Sequence, residues 1–367
     1  MKKQLISSIF NELEDPRRDK CKKHLLQDII MITIAAVICG AETWNQIEEY
    51  AIAKQEWLRT FLTLINGIPS HDTFNRLFSS LDPDKFESCF FQWVATIHKQ
   101  TLGEVIAIDG KTIRGAKQNG KKSAIHMVSA WACENNLVLG QVKVRDKSNE
   151  ITAIPKLLEI LEITDGIITI DAMGCQREIA SKIIDNHGNY ILAVKDNQKE
   201  LHESIQADFI FSKQVQQDTT IDYGHGRIET RTCSVITDFK HIKNPEKWKN
   251  LRSIVRIEST RVFKNSLKED QTAVRYYISS VQANAKDFQQ TIRSHWAIEN
   301  KLHWTLDVAF GEDASRKRAG NAAQNFSAIN KIALNLLKNN KSRKIGVKGK
   351  RLKAGWDDNF LIQVFEF

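Results

Sequence analysis

Two aspartates close short apolar runs, Asp109 in Ala107-Ile-Asp-Gly and Asp171 in Thr169-Ile-Asp-Ala. A carboxylate at the end of a buried strand is costly unless it is paired, hydrogen-bonded or metal-bound. Strand ends in α/β sheets are also where ligand sites gather. Turns and caps favour aspartate anyway, so one such residue says little; two in one sheet point towards a metal site. A third acid, Glu299, stands in Arg293-Ser-His-Trp-Ala-Ile-Glu-Asn-Lys-Leu-His-Trp. On a regular helix His295, Glu299 and His303 share one face, which Ile292 and Leu306 extend. Two readings stay open there: a glutamate facing a polar site, or an amphipathic helix whose glutamate pairs with Lys or Arg. Three carboxylates suit two Mg²⁺ ions, which take oxygen ligands and keep positions open for phosphates. The chemistry of such a pair is in-line phosphoryl displacement by water or a 3′-hydroxyl. The sequence holds no P-loop, no H-E-x-x-H and no Rossmann glycine fingerprint.

The elements that must carry these acids can be read from periodicity. The first hundred residues are helical: an apolar stretch from Leu25 to Cys39, then pieces over Trp44 to Tyr50 and Glu56 to Leu64. After Gly67-Ile-Pro, Ser70 or Asp72 caps a helix with Phe74, Leu77, Phe78 and Leu81 at i, i+3, i+4 and i+7. Asn75, Arg76 and Ser79 then face outward, which suits a DNA-reading helix and equally a plain packing domain. From Val105 the pattern turns to strands, the first ending at Asp109, the next at Ile125 to Cys133 and Leu137 to Val144. A helix over Ile154 to Leu161 takes Pro155 in its first turn. There follow a buried strand ending at Asp171, a helix from Gln176 to Asn186, a strand at Tyr190 to Lys195 and a helix from Lys199 to Phe209. Phe211 to Val281 leans to strand, and helix returns from Asp287 to Leu306.

Composition narrows the classes. The 367 residues allow two or three folding units, with 42% hydrophobic and 26% charged residues, as in ordinary globular proteins. Lys and Arg number 53 against 44 Asp and Glu, a net +9. A basic surplus favours polyanions, since neutralised phosphates release counterions, or is an undirected surface charge. The six cysteines are scattered without a C-x-x-C pair, which fits reduced thiols rather than disulfides or a zinc finger. The apolar run Ile29 to Gly40 is shorter than the roughly 20 residues a membrane span takes. No signal peptide precedes it, so a cytoplasmic protein without membrane contact is expected.

Seven stretches carry a family resemblance: Gly67-Ile-Pro-Ser-His-Asp-Thr-Phe, Ala107-Ile-Asp-Gly-Lys-Thr-Ile-Arg-Gly, Ile170-Asp-Ala-Met-Gly-Cys-Gln, Ala193-Val-Lys-Asp-Asn-Gln, Gly224-His-Gly-Arg-Ile-Glu, His295-Trp-Ala-Ile-Glu-Asn-Lys-Leu-His-Trp-Thr-Leu-Asp-Val and Arg351-Leu-Lys-Ala-Gly-Trp-Asp. In this order the sequence resembles the DDE insertion-sequence transposases, in the branch that includes the H-repeat-associated proteins. The resemblance implies an α/β fold with an RNase H-like core and a β-rich insertion, preceded by a small helical N-terminal domain. It implies Asp109, Asp171 and Glu299 as catalytic and metal-holding residues, with Mg²⁺ (or Mn²⁺) as cofactor, two ions when DNA is bound. The expected partners are double-stranded DNA, both element terminal repeats and target, and a second copy of the chain on that DNA. The expected organisation is a DNA-end-recognising helical domain over 1–98, core over 101–210, insertion over 211–284, the rest of the core over 285–340 and a basic segment over 341–367.

The family's Y-x2-R-x3-E-x6-K signature is met here by Ile292, His295, Glu299 and Leu306, so only the glutamate is kept. That leaves open whether cut ends pass through a hairpin. Lys111, Arg114, Lys195, His225, Arg227, Arg231 and His295 are the candidate DNA contacts, each equally readable as a solvated surface charge. Arg227, Glu229 and Arg231 alternate onto one strand face. Trp248 is read as a core or surface tryptophan, with stacking on an extruded base as the rarer alternative; the basic tail Lys338 to Lys353 either grips phosphate or is simply exposed. The expected function is metal-dependent phosphodiester hydrolysis and strand transfer. Its rivals are a nuclease on the same fold and a DNA-binding relic that does not cut.

Overall fold

The computed structural model describes residues 6–99, 101–117, 124–145, 149–224, 226–264 and 269–366. Helices α1 (Ile6–Ile9), α2 (Leu26–Ile38), α3 (Trp44–Ala53), α4 (Gln55–Leu58), α5 (His71–Ser80) and α6 (Pro83–Ile97) come first. Next are β1 (Val105–Ile113), β2 (Ile125–Ala132), β3 (Leu137–Lys143), α7 (Glu150–Ile160), β4 (Ile167–Ile170), α8 (Arg177–Asp185), β5 (Asn189–Val194) and α9 (Lys199–Phe211). Four strands follow: β6 (Gln216–Gly224), β7 (Arg227–Ile236), β8 (Ser253–Phe263) and β9 (Gln271–Ser279). The chain continues through α10 (Ala285–His295), a π-helical stretch Ile298–His303, α11 (Trp304–Phe310), α12 (Ala322–Asn339), α13 (Val347–Trp356) and α14 (Asp358–Phe365). The protein is thus mixed α/β with a large sheet. None of the described helices is long and apolar enough to cross a membrane.

The chain forms two units: residues 1–99, 110–144 and 299–367 in one, 100–109 and 145–298 in the other. In the second unit the strand order is β1-β4-β5-β9-β8-β7-β6. Strands β1, β4 and β5 are parallel, with Ile108 opposite Ile170 and Ile170 opposite Leu192. Their near-continuous apolar runs are what strands buried on both faces require. Strands β5 to β9 pair antiparallel. Here Cys233, Val235, Val255, Ile257 and Tyr277 turn one face towards Ala285, Phe288 and Ile292 of α10.

The first unit is organised by α12. Phe74, Leu77, Phe78 and Leu81 are fully buried, as their spacing predicts. Helix α2 is buried nearly all round, the mark of a helix inside a core. Buried asparagines on α12 finish neighbouring backbones: Asn325 donates to the carbonyls of Phe78 and Leu81, and Asn335 bonds both the N–H and the carbonyl of Val138. The basic tail is partly inside. Lys350 donates to the carbonyls of Leu337 and Asn340, and Arg351 to those of Val37, Ala41 and Ala309. These two cations satisfy chain ends and are closed to phosphate.

One helix boundary differs from expectation. Helix α7 begins at Glu150, so Pro155 lies inside it rather than in its first turn; the helix starts at the polar Glu150, ahead of the apolar run from which the boundary was read.

A buried charge system ties β1 to α12 within the first unit. Lys111 Nζ lies 2.6 Å from Asp307 and 3.4 Å from Glu312. Ser327 donates to Glu312 at 3.0 Å and accepts from Lys331 at 2.8 Å. Burial alone would raise the Glu312 carboxyl, but the Lys331 and Lys111 ammonium groups hold it below its ordinary value. Removing one partner of such a system leaves a charge buried without compensation. Lys331→Met is expected to lower unfolding stability by about 3 kcal/mol. Adding Glu312→Leu should return most of that loss, as chemical denaturation of the three proteins would measure.

Candidate active site

Strand pairing brings the two aspartates together. Ile108 lies opposite Ile170 on parallel strands, whose neighbours run about 4.8 Å apart, and an aspartate directly follows each, Asp109 and Asp171. Both are half-buried. Strand β4 stops there, while β1 runs on to Ile113 instead of ending at Asp109; β2 remains beside it as a neighbour. Asp171 opens a 3-10 turn, its Oδ1 accepting from Met173 N–H at 3.0 Å. Burial, and the negative charge of Glu150, raise its carboxyl above the ordinary value, against the N–H groups of Gly174 and Met173 and the charge of Lys195. A carboxylate whose charge is under-compensated, next to a second one, is an oxygen donor set that fits a hard divalent cation.

The end of α10 is bonded to the same strand. His295 ends α10 and shares a 2.9 Å hydrogen bond with Thr169 Oγ1, two residues before Asp171 on β4. Burial pushes the His295 imidazole down to about 4. It is therefore neutral at pH 7. Glu299 follows in the π-helical stretch Ile298–His303 and is exposed. The expected stripe of His295, Glu299 and His303 assumes 3.6 residues per turn, and a π turn breaks that register. Ile298, Leu302 and Leu306 are fully buried. His303 is pushed down to about 3, first by burial and then by the charges of Lys331 and Lys111. Among the described residues no three His, Cys, Asp or Glu side chains form a metal-holding group.

The basic candidates divide. Lys111, expected as a DNA contact, is engaged inside the fold by the carboxylates of Asp307 and Glu312. Arg114 is exposed, its backbone N–H bound to Asp313. Lys195 is exposed at the end of β5. His225 lies outside the described residues. Arg227, Glu229 and Arg231 share a face, as their alternation predicts. The structure adds that Glu229 is buried among guanidiniums, Arg231 at 2.7 Å, Arg261 at 2.9 Å and Arg227 at 3.6 Å. Arg231 and Arg293 also meet Asp222, at 2.6 and 2.8 Å. Arg261 and Arg293 escaped sequence reading, because only the pairing of Glu229 with Arg261 and the fold of α10 reveal them. Trp248 is buried, with Arg177 5.8 Å from its ring, and offers no stacking face.

Comparison with known proteins then decides the lineage. The family model described as "Transposase DDE domain" matches residues 100–336, and one described as "DDE_Tnp_1-associated" matches residues 7–94. "Putative transposase YncI" of Escherichia coli O157:H7 is 45% identical over 98% of this chain and 94% of its own. The chain belongs to the DDE insertion-sequence transposases, in the branch that includes the H-repeat-associated proteins. From that branch, "H repeat-associated putative transposase YhhI" of Escherichia coli strain K12 is 41% identical over 96% of this chain and 95% of its own. A solved structure, the piggyBac transposase synaptic complex with hairpin DNA, aligns with a TM-score of 0.45 at 11% identity, covering 98% of this chain and 77% of that one. The DDE match encloses Asp109, Asp171 and Glu299 and stops within α12, so α13 and α14 lie beyond it in this family member.

The two histidines flanking Glu299 set a pH dependence. Their folded values of about 4 and about 3 lie below the ordinary 6.5, so the unfolded chain takes up protons first as pH falls. The stability they contribute is complete above about pH 6.5 and is lost as pH drops towards 4. The melting temperature should fall between pH 7 and pH 5, and by about 3 °C less in His295→Asn than in the parent chain.

Proposed function

We propose that this chain is a DNA transposase that hydrolyses a phosphodiester at the ends of an insertion sequence and joins the freed 3′-hydroxyl to target DNA. The observation that supports the reading is the parallel pairing of Ile108 with Ile170, the residues that directly precede Asp109 and Asp171. In this reading β1 to β5 with their helices form an RNase H-like core over 101–210, completed by 285–340, and β6 to β9 form the insertion over 211–284. Residues 1–98 form the end-recognising helical domain and 341–367 the C-terminal segment.

Asp109, Asp171 and Glu299 would hold Mg²⁺ or Mn²⁺. When bound, the ions lower the pKa of an attacking water and stabilise the leaving oxygen. The chain's own residues do the rest. The Met173 N–H fixes one Asp171 oxygen. The neutral His295 bonds α10 to β4 through Thr169, and Glu299 follows one turn later. Exposed Lys195 and Arg114 supply positive charge for DNA phosphates, the insertion adds Arg227 and α10 adds Arg293, with four guanidiniums set against the carboxylates of Glu229 and Asp222. Two copies acting together on two element ends, in the cytoplasm, complete the proposal.

The test is strand cleavage of a DNA fragment carrying the gene's own flanking sequences, with Mg²⁺ or Mn²⁺. Nicks at the element boundary are expected with the parent chain, falling to background in Asp171→Asn while DNA binding persists. Binding without cleavage under either metal would indicate a relic, and cleavage at scattered positions a nuclease.

A further inference from the structure

Within the first unit a cavity of about 450 Å³ opens between the start of α3, the outward side of α5 and the segment after α11, lined among others by Glu42, Asn45, Asn75, Arg316, Lys317 and Arg318. Its construction separates anchors from free ends. Residues 315–318 are irregular and extended, with Lys317 buried and Arg316 and Arg318 exposed on either side of it. Lys317 Nζ donates to the Glu42 carbonyl and sits 3.6 Å from the Phe326 ring centroid and 5.1 Å from that of Trp44. Burial pushes it down to about 7, so it works as a peg.

The far end of the segment is pinned as firmly. Gly320 takes φ +46°, and a Cβ there would lie 2.3 Å from the Ser79 carbonyl oxygen. Asn321 N–H donates to that same oxygen at 2.9 Å, and its side chain to Leu81 O at 3.1 Å. The segment is thereby held against α5, where Arg76 is exposed and Asn75 is half-buried, its Oδ1 accepting from the Ser79 hydroxyl at 3.4 Å. The α3 side is held by a Thr43–Gln46 capping box, with Asn45 exposed in the first turn.

What this frame presents is guanidinium and carboxamide. Arg318, an exposed residue, spends Nε on the Gly115 carbonyl at 3.0 Å. Arg316 enters no ion pair among the described residues, and Arg114 is exposed on the adjoining turn. Of the nearby acids, Asp313 is taken by the Arg114 N–H, and the Glu42 carboxylate is 3.7 Å from the Arg351 guanidinium. Guanidinium reads guanine and carboxamide reads adenine in the major groove, and both reach phosphate oxygens.

We propose that this pegged surface is where the chain grips duplex DNA of the element end, Arg316 and Arg318 holding phosphates and Asn45 and Asn75 reading base edges. The proposal rests on the transposase reading and places end recognition on a surface shared by the N-terminal helices and the segment 315–320, rather than on those helices alone.

The experiment is equilibrium binding of the full chain, by fluorescence anisotropy, to a duplex carrying the gene's flanking sequence and to a scrambled duplex, across a salt series without divalent metal. Arg316→Ala with Arg318→Ala should weaken both at least about tenfold and reduce the salt slope by about two. Arg316→Glu alone, at a side chain without an ion pair, should weaken them similarly if the double variant fails to fold. Asn45→Ala with Asn75→Ala should keep affinity for the scrambled duplex and lose the preference for the flanking one. Arginine variants that bind as tightly as the parent would overturn the proposal and leave the transposase reading standing. A parent chain that binds neither duplex would overturn both.

Discussion

The in-register pairing of β1 with β4 is the constraint on which the candidate chemistry depends. Parallel strands put residues of the same register on the same face, so one pairing decides whether two carboxylates meet or point apart. A slip of one residue would send Asp171 to the opposite face. The apolar residues before each aspartate, Ile106 and Ile108 on β1 and Ile168 and Ile170 on β4, are almost wholly buried and make such a slip costly. Core packing and acid placement are therefore one requirement.

The segment from α10 to α11 shows how a polar residue is presented from an apolar element. A regular helix would have left Glu299 on a face shared with His295 and His303. The π turn divides them: His295 is bound to Thr169, Ile298 and Leu302 sink into the core, and Glu299 stays at the surface. An extra residue in a helical turn widens it and weakens its hydrogen bonding, and such turns recur at functional sites.

Much of this was legible in the sequence because it rests on local pattern. The spacing of Phe74, Leu77, Phe78 and Leu81 gave α5, and the apolar runs gave β1, β4 and β5. Both aspartates were legible because each ends such a run. Residues whose roles depend on distant partners were not. Lys111 reads as a free cation until Asp307 and Glu312, nearly two hundred residues later, are seen to take it. Arg351 reads as part of a basic tail until the carbonyls at and just beyond the end of α2 claim it. Pro155 was misplaced because helix starts follow polar caps as well as apolar period. The π turn leaves no compositional mark, since the same residues fit a regular helix.

The way the first unit is threaded bears on how the chain is made. Helix α2 is apolar on nearly every side, and part of its covering is α12, which the ribosome adds about 280 residues later. At ordinary elongation rates that is an interval on the order of tens of seconds. Throughout it the nascent chain carries a greasy helix that lacks part of its covering, so its survival during synthesis depends on chaperone custody or on a temporary partner for that surface. A message truncated before α12 would encode a polypeptide that keeps this exposure for its whole lifetime.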